Sequence, residues 1–221
     1  MPKISVVCVT NRKGAIGYLN EQLKKQTFKD FEVIIANDSE DEGGFKPRQK
    51  EEKDVWNLNK AYNDCIEKAQ GELIVFLQDF IYIPANGLQR FWDIYQLYPT
   101  SLVTGCGHKY ENRYLAETDE RCFGDYKLVE SDWTYYELNW ASCPKVCLQK
   151  FDEDMDTHYG GENQIFALKA TLAGFDIKLD RTNICQGEVH HDRPKDWEER
   201  HANKGFLNEK IKEYAKKFKP L

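Results

Sequence analysis

The first third of the chain alternates short apolar runs with amphipathic segments. The runs at 4–9, 31–36 and 73–77 are rich in valine and isoleucine, which is typical of strands that are covered on both faces. The segments between them, at about 16–26 and 58–69, repeat apolar residues at helical spacing. This order predicts an α/β fold, in which β-α-β-α-β crossovers build an open, mostly parallel sheet flanked by helices.

Polar side chains follow each of the three predicted strands. They are Thr10, Asn11 and Arg12, then Asn37 and Asp38, then Gln78 and Asp79. The carboxyl ends of parallel strands share one edge of a sheet, where ligands bind in open α/β folds. Thr10, Asn11, Arg12, Asp38, Lys60 and Gln78 are therefore candidates for binding a nucleotide. Asp and Asn are also common strand terminators and helix caps, so structural roles stay open.

The residue types at this edge suit a nucleotide and a cation. Asp38 can accept hydrogen bonds from a base or a ribose, whereas Arg12 and Lys60 can face phosphates. Asp79 offers the hard oxygen ligand that a divalent cation prefers, and His190 or His191 is a candidate second ligand. The histidines are equally compatible with a solvated loop.

Composition and sequence motifs argue against several classes of function. No Gly-x-Gly-x-x-Gly follows the first strand and no Walker lysine loop occurs, which argues against a dinucleotide cofactor. The net charge of −6 argues against a nucleic-acid partner, because such surfaces carry basic stripes. No run approaches the ~18 apolar residues of a membrane span, and the first residues do not resemble a secretory signal. Seven cysteines without zinc spacing favour reduced thiols and a cytoplasmic location.

A second candidate site begins at Gly160-Gly161-Glu162-Asn163. The two glycines let the backbone approach a ligand closely, and the carboxylate and amide that follow can grip hydroxyl groups. A helix is predicted to open here, and its dipole favours the ionised form of Glu162, which can then accept the proton of an acceptor hydroxyl. Helix capping alone also explains Glu162 at this position.

Two further groups of residues surround this motif. Residues 152–156 carry four acids, for which a solvated loop is the default interpretation. Aromatic residues cluster at 133–140 and end at Trp140. Aromatic rings cover the apolar faces of sugars, so Trp140 is a candidate for the acceptor side, with a place in the core as the alternative.

The N-terminal half resembles the nucleotide-sugar half of a GT-A glycosyltransferase of the family-2 type. The resemblance rests on ISVVCVTNR, QTFKDFEVIIANDSED and NKAYNDCIEKAQGELIVFLQD, with Pro84 beyond. In that family the second strand ends in paired acids, one of which reads the uracil base, so the resemblance gives this role to Asp38, while Asn37 departs from the pattern. The family's metal motif has two acids separated by one residue, and here only Asp79 remains.

The C-terminal half resembles the signature of galactosyl- and N-acetylgalactosaminyltransferases. Phe151-Asp152-Glu153, the glycine pair, a helix and a later Val-His carry this resemblance. Inverting members have Glu-Asp after the glycines, with the Asp as base. Glu162-Asn163 is instead the form seen in retaining polypeptide N-acetylgalactosaminyltransferases, so Glu162 or Asp154 would have to act as base in an inverting reaction. The stereochemical outcome stays open.

These features together predict one GT-A domain over residues 1–192, followed by an amphipathic helix in 193–221. Residues 1–100 form the nucleotide-sugar half and 101–192 the acceptor half. The terminal helix is expected to pack on the body or on a second copy in a homodimer. Its lysines also fit a peripheral contact with a membrane surface.

The predicted reaction moves a sugar from a nucleotide donor, a UDP-sugar above others, to a hydroxyl of a glycan, a lipid-linked sugar or a protein. Mn²⁺ or Mg²⁺ would be held by Asp79 with His190 or His191. Trp140, Gly160, Gly161 and Asn163 would contact the sugar or the acceptor. A non-catalytic module that binds nucleotide-sugars is the main alternative, and a sugar nucleotidyltransferase is the second.

Overall fold

A computed structural model of the chain describes residues 1–48, 58–79, 81–111, 114–157, 160–188 and 197–217. The strands in this part of the chain are β1 (Ile4–Thr10), β2 (Phe31–Asn37), β3 (Leu73–Leu77), β4 (Ile81–Tyr82), β5 (Ser101–Glu111), β6 (Tyr114–Thr118), β7 (Leu128–Ser131), β8 (Trp140–Pro144) and β9 (Asp176–Glu188). The helices are α1 (Ala15–Lys24), α2 (Leu58–Lys68), α3 (Gly87–Leu97), α4 (Glu162–Leu172) and α5 (Trp197–Lys217).

All nine strands belong to one sheet, whose main path runs β2-β1-β3-β8-β5-β9-β4. Strand β1 pairs in parallel with β2 and β3, and β5 pairs in parallel with β9. Strand β8 is antiparallel to both of its neighbours, β3 and β5. The prediction of an α/β fold with a mostly parallel sheet is confirmed, and β8 is the antiparallel insertion that joins the two halves.

Helices cover both faces of the sheet, as the continuous apolar strands require. Val6 packs on one face in a cluster with residues of α1 and α3, and Val7 packs on the other face with residues of α2 and α4. Both valines are 0% exposed. Side chains alternate between faces along a strand, so a strand buried on both faces must be apolar at consecutive positions.

Trp140 lies in the core and not on an acceptor surface. Its side chain is 1% exposed, and its ring centroid is 4.6 Å from that of Phe91 in α3. A Cβ atom added to Gly87 or Gly105 would come within 2.6 Å of the indole ring, so these glycines make room for it. The prediction that Trp140 shapes the acceptor side is wrong, because the alternation of β8 directs this ring into the core cluster on the α1 and α3 face.

Residues 108–125, which show no clear pattern in the sequence, contain a hairpin. Strand β5 continues to Glu111 and pairs antiparallel with β6, with an irregularity in register between Lys109 and Tyr110. Most of β6 is exposed. A strand without a buried face does not need to alternate apolar and polar residues. The sequence pattern therefore did not predict this hairpin.

The acidic run at 152–156 is tied into the structure. Asp156 is fully buried, and its carboxylate accepts hydrogen bonds from the backbone N–H groups of Asn59 (2.6 Å) and Lys60 (3.1 Å) at the start of α2. Asn63 exchanges two hydrogen bonds with the backbone of Phe151, at 2.8 and 3.0 Å. The interpretation of this run as a solvated loop is therefore wrong. Asp156 satisfies donors that a helix N-terminus leaves unpaired.

The C-terminal helix packs against the body of the protein. Leu207, Ile211 and Tyr214 of α5 contact a small apolar cluster formed by Met155, Ile165 and Leu168. Among the described residues, no helix is both long and apolar enough to cross a membrane. All seven cysteines are buried and unpaired, in agreement with the sequence interpretation.

Candidate functional site

Three predicted site residues meet where β1 and β3 end. The hydroxyl of Thr10 donates a hydrogen bond of 2.6 Å to Oδ2 of Asp79 and accepts one of 3.1 Å from the backbone N–H of Arg12. Nε of Arg12 lies 3.9 Å from the same carboxylate oxygen. The Asp79 side chain is 8% exposed and that of Arg12 is 45% exposed. The arrangement thus places a buried acid beneath a cation that can reach solvent.

The end of β2 lies beside this group. The two polar residues there, Asn37 and Asp38, make different contacts. The side chain of Asn37 is buried; it donates to the carbonyls of Asp41 and Gly43 and accepts from the backbone N–H of Ser39, at 2.8 to 2.9 Å. Asn37 therefore shapes the loop after β2. Asp38 is exposed, and its backbone N–H donates to the carbonyl of Thr10 at 2.8 Å. Asp38 therefore lies at the surface of this edge, whereas Asn37 is part of its interior.

The remaining candidates for nucleotide binding lie around the same edge. Asn11 is exposed directly after β1. The backbone N–H of Gln78 donates to the carbonyl of Asn139 at 3.1 Å, which links the end of β3 to the segment before β8. Lys60 lies in the first turn of α2, where its backbone is capped by Asp156.

The topology brings the Gly-Gly-Glu-Asn motif to the same edge. Helix α4 begins at Glu162 and runs for 11 residues, and a short turn leads from it into β9. Strands β3 and β5 run in the same direction, because both are antiparallel to β8, and β9 is parallel to β5. Strand β9 therefore starts at the edge of the sheet opposite to the one that holds Asp79. A helix of this length spans about 16 Å, so its first turn lies at the edge that holds Asp79.

Electrostatic effects on Tyr62 agree with this placement. Burial raises the pKa of the Tyr62 hydroxyl well above its usual value, and the negative charges of Glu162 and Asp79 raise it further. Two carboxylates, one from each predicted site, therefore act on a single side chain of α2. This agrees with the topology, which places the donor-side and motif-side residues at one edge of the sheet.

The two glycines of the motif meet different constraints. Gly160 and Gly161 have φ angles of +88° and +94°, in the left-handed region that favours glycine. A Cβ atom on Gly161 would lie 2.8 Å from Cδ1 of Leu207, whereas one on Gly160 would meet nothing within 4 Å. The missing side chain of Gly161 thus leaves room for Leu207, which brings α5 close to the backbone of the motif.

Gly161→Ala is expected to destabilise the fold more than Gly174→Ala. Both glycines have φ near +90°, so each substitution carries a strain of about 1–2 kcal/mol. Only the Cβ at position 161 also meets Leu207, because the space around Gly174 is open. We expect a difference of about 1–2 kcal/mol between the free energies of unfolding of the two variants. Equal losses, measured by urea denaturation, would show that α5 does not press on Gly161.

Glu162 is desolvated despite its place in the first turn of a helix. Burial raises the pKa of its carboxyl, backbone hydrogen bonding at the helix start lowers it, and the charge of Asp156 raises it, with a net upward shift. The upward shift shows that the effect of desolvation on this pKa exceeds that of the helix terminus. A raised pKa suits a group that must take up a proton.

Asn163 connects the motif to the segment that carries Glu137, a residue that sequence reasoning missed. Its side-chain nitrogen donates to the carbonyl of Tyr136 at 2.9 Å. Burial raises the pKa of Glu137; Arg121 lowers it, the charge of Glu162 raises it and the amide of Asn163 lowers it. Glu137 is thus a second carboxylate near the motif. A lone acid between aromatic residues and a buried strand is the signal that could have pointed to it.

Asp154, the second candidate base, lies in the acidic run before the motif. Its side chain is 59% exposed and forms an ion pair with Lys210 of α5.

The described residues supply only part of a cation site. Among them, no group of three or more His, Cys, Asp or Glu side chains is close enough to hold a metal ion. Asp79 offers one carboxylate, and its Oδ2 already accepts a hydrogen bond from Thr10. The other predicted ligands, His190 and His191, lie outside the described residues. The oxygen ligand of Asp79 fits Mg²⁺ or Mn²⁺ in kind, but further ligands must come from a substrate diphosphate or from those histidines.

Neither a family model nor a curated protein matches the chain, but solved structures do. S. aureus TarS 1–349 in complex with UDP-GlcNAc superposes with a TM-score of 0.71 at 18% identity, over 94% of this chain and 66% of that chain. The same protein with UDP gives 0.68 at 18%, over 96% and 65%. GalNAc-T7 with UDP, GalNAc and Mn²⁺ gives 0.66 at 13%, over 88% and 45%.

These similarities establish the fold, a mixed α/β architecture of the GT-A glycosyltransferase type. The chain spans just under two thirds of the length of TarS 1–349 and less than half of GalNAc-T7.

Proposed function

We propose that this protein is a glycosyltransferase that moves a sugar from a UDP-sugar to a hydroxyl acceptor. The observation that carries the proposal is the placement of two acids at one edge of the sheet: Asp79 lies there with Arg12 at the end of β3, and Glu162 begins α4 at the same edge. The fold is shared with structures that contain UDP, UDP-GlcNAc, or UDP with GalNAc and Mn²⁺.

The donor side binds the nucleotide diphosphate in this proposal. Asp38 accepts hydrogen bonds from the base or ribose, and Thr10, Asn11, Lys60 and Gln78 line the same edge. Arg12 faces the diphosphate and stabilises the charge that grows on it as it leaves. A divalent cation bound to Asp79, with His190 or His191, would add Lewis-acid stabilisation of the same charge.

The motif side binds the sugar and the acceptor. Glu162 takes the proton from the acceptor hydroxyl, whose oxygen forms a bond to the anomeric carbon while the bond to the diphosphate breaks. Asn163 and Gly160 flank Glu162 in the motif and border the sugar, and Asn163 is fixed by its hydrogen bond to the carbonyl of Tyr136. Asp154 is the less suited base, because its carboxylate is engaged in an ion pair with Lys210 of α5.

A screen of nucleotide diphosphates tests the donor assignment. UDP, GDP, CDP, ADP and dTDP are added with and without Mn²⁺, and the melting temperature is recorded. We expect UDP with Mn²⁺ to raise it by several degrees, because a ligand that binds only the folded state stabilises it by mass action. The other nucleotides are expected to have little effect. If none of them stabilises the protein, the proposed donor site is wrong.

Non-catalytic binding of nucleotide-sugars is a second candidate. It is favoured by the pairing of Asp79 with Thr10 and by the single carboxylate at the cation site. Release of UDP from UDP-GlcNAc or UDP-GalNAc, followed with Mn²⁺ present, separates an enzyme from a binding module. Tight binding without release would favour the module.

We further propose that the protein acts in the cytoplasm. The seven buried cysteines without disulfides fit a reducing compartment. The domain limits at 1–192 and 193–221 and a homodimer through α5 stay predictions.

A further inference from the structure

Helix α5 contacts the acidic segment at 152–156, which precedes the Gly-Gly-Glu-Asn motif. The segment contains most of a short 3₁₀ helix (Glu153–Thr157) and is called the acidic loop below. The phenol of Tyr214 donates a hydrogen bond of 2.6 Å to Oδ2 of Asp152. Lys210 forms an ion pair with Asp154 and lies 3.7 Å from Asp152. The side chains of Asp152 and Lys210 are 10% and 13% exposed, so these charges are largely shielded from solvent.

The same loop is held from two other directions. Lys169 of α4 donates to Oδ1 of Asp152 at 2.7 Å. On the far side, Asn63 of α2 binds the backbone of Phe151, and Asp156 caps the first turn of α2. Asp152 is thus the point where α4 and α5 meet the loop, while α2 fixes both of its ends.

Helix α5 also contacts the motif directly. Leu207 lies so close to Gly161 that no Cβ atom fits between them, and Ile211 and Tyr214 pack with Met155 of the loop and Ile165 of α4. The first turn of α4, which carries Glu162, is therefore enclosed by α5 through apolar contact, while the loop before it is fixed by charge.

We propose that Tyr214 and Lys210 are positioning residues, which hold loop 152–156, and through it Glu162, in the geometry needed for the acceptor step. This inference rests on the proposed glycosyltransferase function for its catalytic consequence. The structural consequence, a loop ordered by α5, stands independently. An ion pair that is shielded from solvent adds little net stability. Its effect here is to select one arrangement of the loop over others.

Tyr214→Phe and Lys210→Met test the proposal. Tyr214→Phe removes only the hydroxyl that Asp152 accepts from, and Lys210→Met keeps most of the apolar stem. Matched controls are Tyr126→Phe, at an exposed ring, and Lys212→Met, at an exposed lysine of the same helix. Amide hydrogen exchange and steady-state kinetics with a UDP-sugar are measured for all four variants.

We expect amide exchange in peptides covering 151–166 to become about tenfold faster in Tyr214→Phe and Lys210→Met, with no change in peptides covering 1–37. kcat is expected to fall about tenfold while the KM for the donor changes less than twofold. Lys210→Arg, which keeps the charge, is expected to restore most of kcat. The two control variants are expected to match the wild type in both measurements.

Unchanged exchange in 151–166 would overturn the inference, whether or not the protein turns over a UDP-sugar. Faster exchange together with an unchanged kcat would also overturn it, because α5 would then be only a structural support. If the wild type binds no nucleotide and shows no turnover, the proposed function fails, and hydrogen exchange alone still decides whether α5 orders the loop.

Discussion

Asp79→Asn is expected to abolish the Mn²⁺-dependent effect of UDP on the melting temperature and to lower sugar transfer by about 10²–10³-fold. The carboxylate is the only acid at the end of β3 among the described residues, and it lies 3.9 Å from the guanidinium of Arg12. Its amide replacement keeps the shape of the side chain but loses the charge that attracts a cation and orients Arg12. Turnover of UDP-GlcNAc and the thermal shift are measured together.

The fold of Asp79→Asn should survive, which makes the loss of activity interpretable. The amide oxygen can still accept the hydrogen bond that Thr10 donates, so we expect the free energy of unfolding to change by about 1 kcal/mol or less. Asp93→Asn is the matched control, since Asp93 is exposed on α3 and bonds only Gln89 in the contacts described. If Asp79→Asn transfers sugar at the wild-type rate, Asp79 is not part of the reaction site.

If Asp79→Asn loses sugar transfer but still binds UDP, Asp79 acts in the reaction and is not needed to bind the nucleotide. Arg12 alone would then suffice to hold the diphosphate, and the carboxylate would serve the bond-breaking step through its cation. Arg12→Lys keeps the charge but not the planar fork, so it is informative in the same assay.

The polar residues at the edge of the sheet could be predicted from the sequence, because neighbouring residues along the chain determine where each strand ends. Consecutive apolar residues such as Val6 and Val7 require a strand covered on both faces, and the polar residue that ends each strand is then placed by topology. Thr10 and Asp79, which are 69 positions apart, end within 2.6 Å of one another for this reason. Parallel pairing of β1 with β3 fixes their register.

The sequence was a poor guide wherever long-range contacts decide the environment of a side chain. Asp156 belongs to a run of acids typical of a solvated loop, yet it is buried because α2 begins beside it. Trp140 belongs to an aromatic cluster typical of a sugar platform, yet its strand is inserted between β3 and β5 and buries it. No prediction covered α3, or Glu137, whose electrostatic environment depends on burial and on the distant residues Arg121 and Glu162.

Glu162→Gln is expected to lower sugar transfer by about 10²–10⁴-fold, because an amide cannot take a proton from the acceptor hydroxyl. UDP binding should change little, since Glu162 belongs to the motif side and not to the donor side of the proposed site. Glu67→Gln, at an exposed position of α2, is the control. If Glu162→Gln retains its activity and Glu137→Gln loses it, the base is Glu137.

The raised pKa of Glu162 gives this assignment a pH signature. Its carboxyl takes up a proton at a higher pH than the ordinary value of 4.5, so the wild-type rate should begin to fall on acidification while ordinary glutamates are still charged. A residual rate of Glu162→Gln should lack this inflection.

Stability should respond in the opposite sense. Protonated Glu162 suits its desolvated site, so its contribution is fully present below the unfolded pKa and is lost as pH rises through the folded pKa. Glu162→Gln carries no such charge, and its melting temperature relative to wild type should therefore increase between pH 4 and pH 7. A stability difference independent of pH would mean that Glu162 is well solvated, and the argument for it as the base would lose its physical ground.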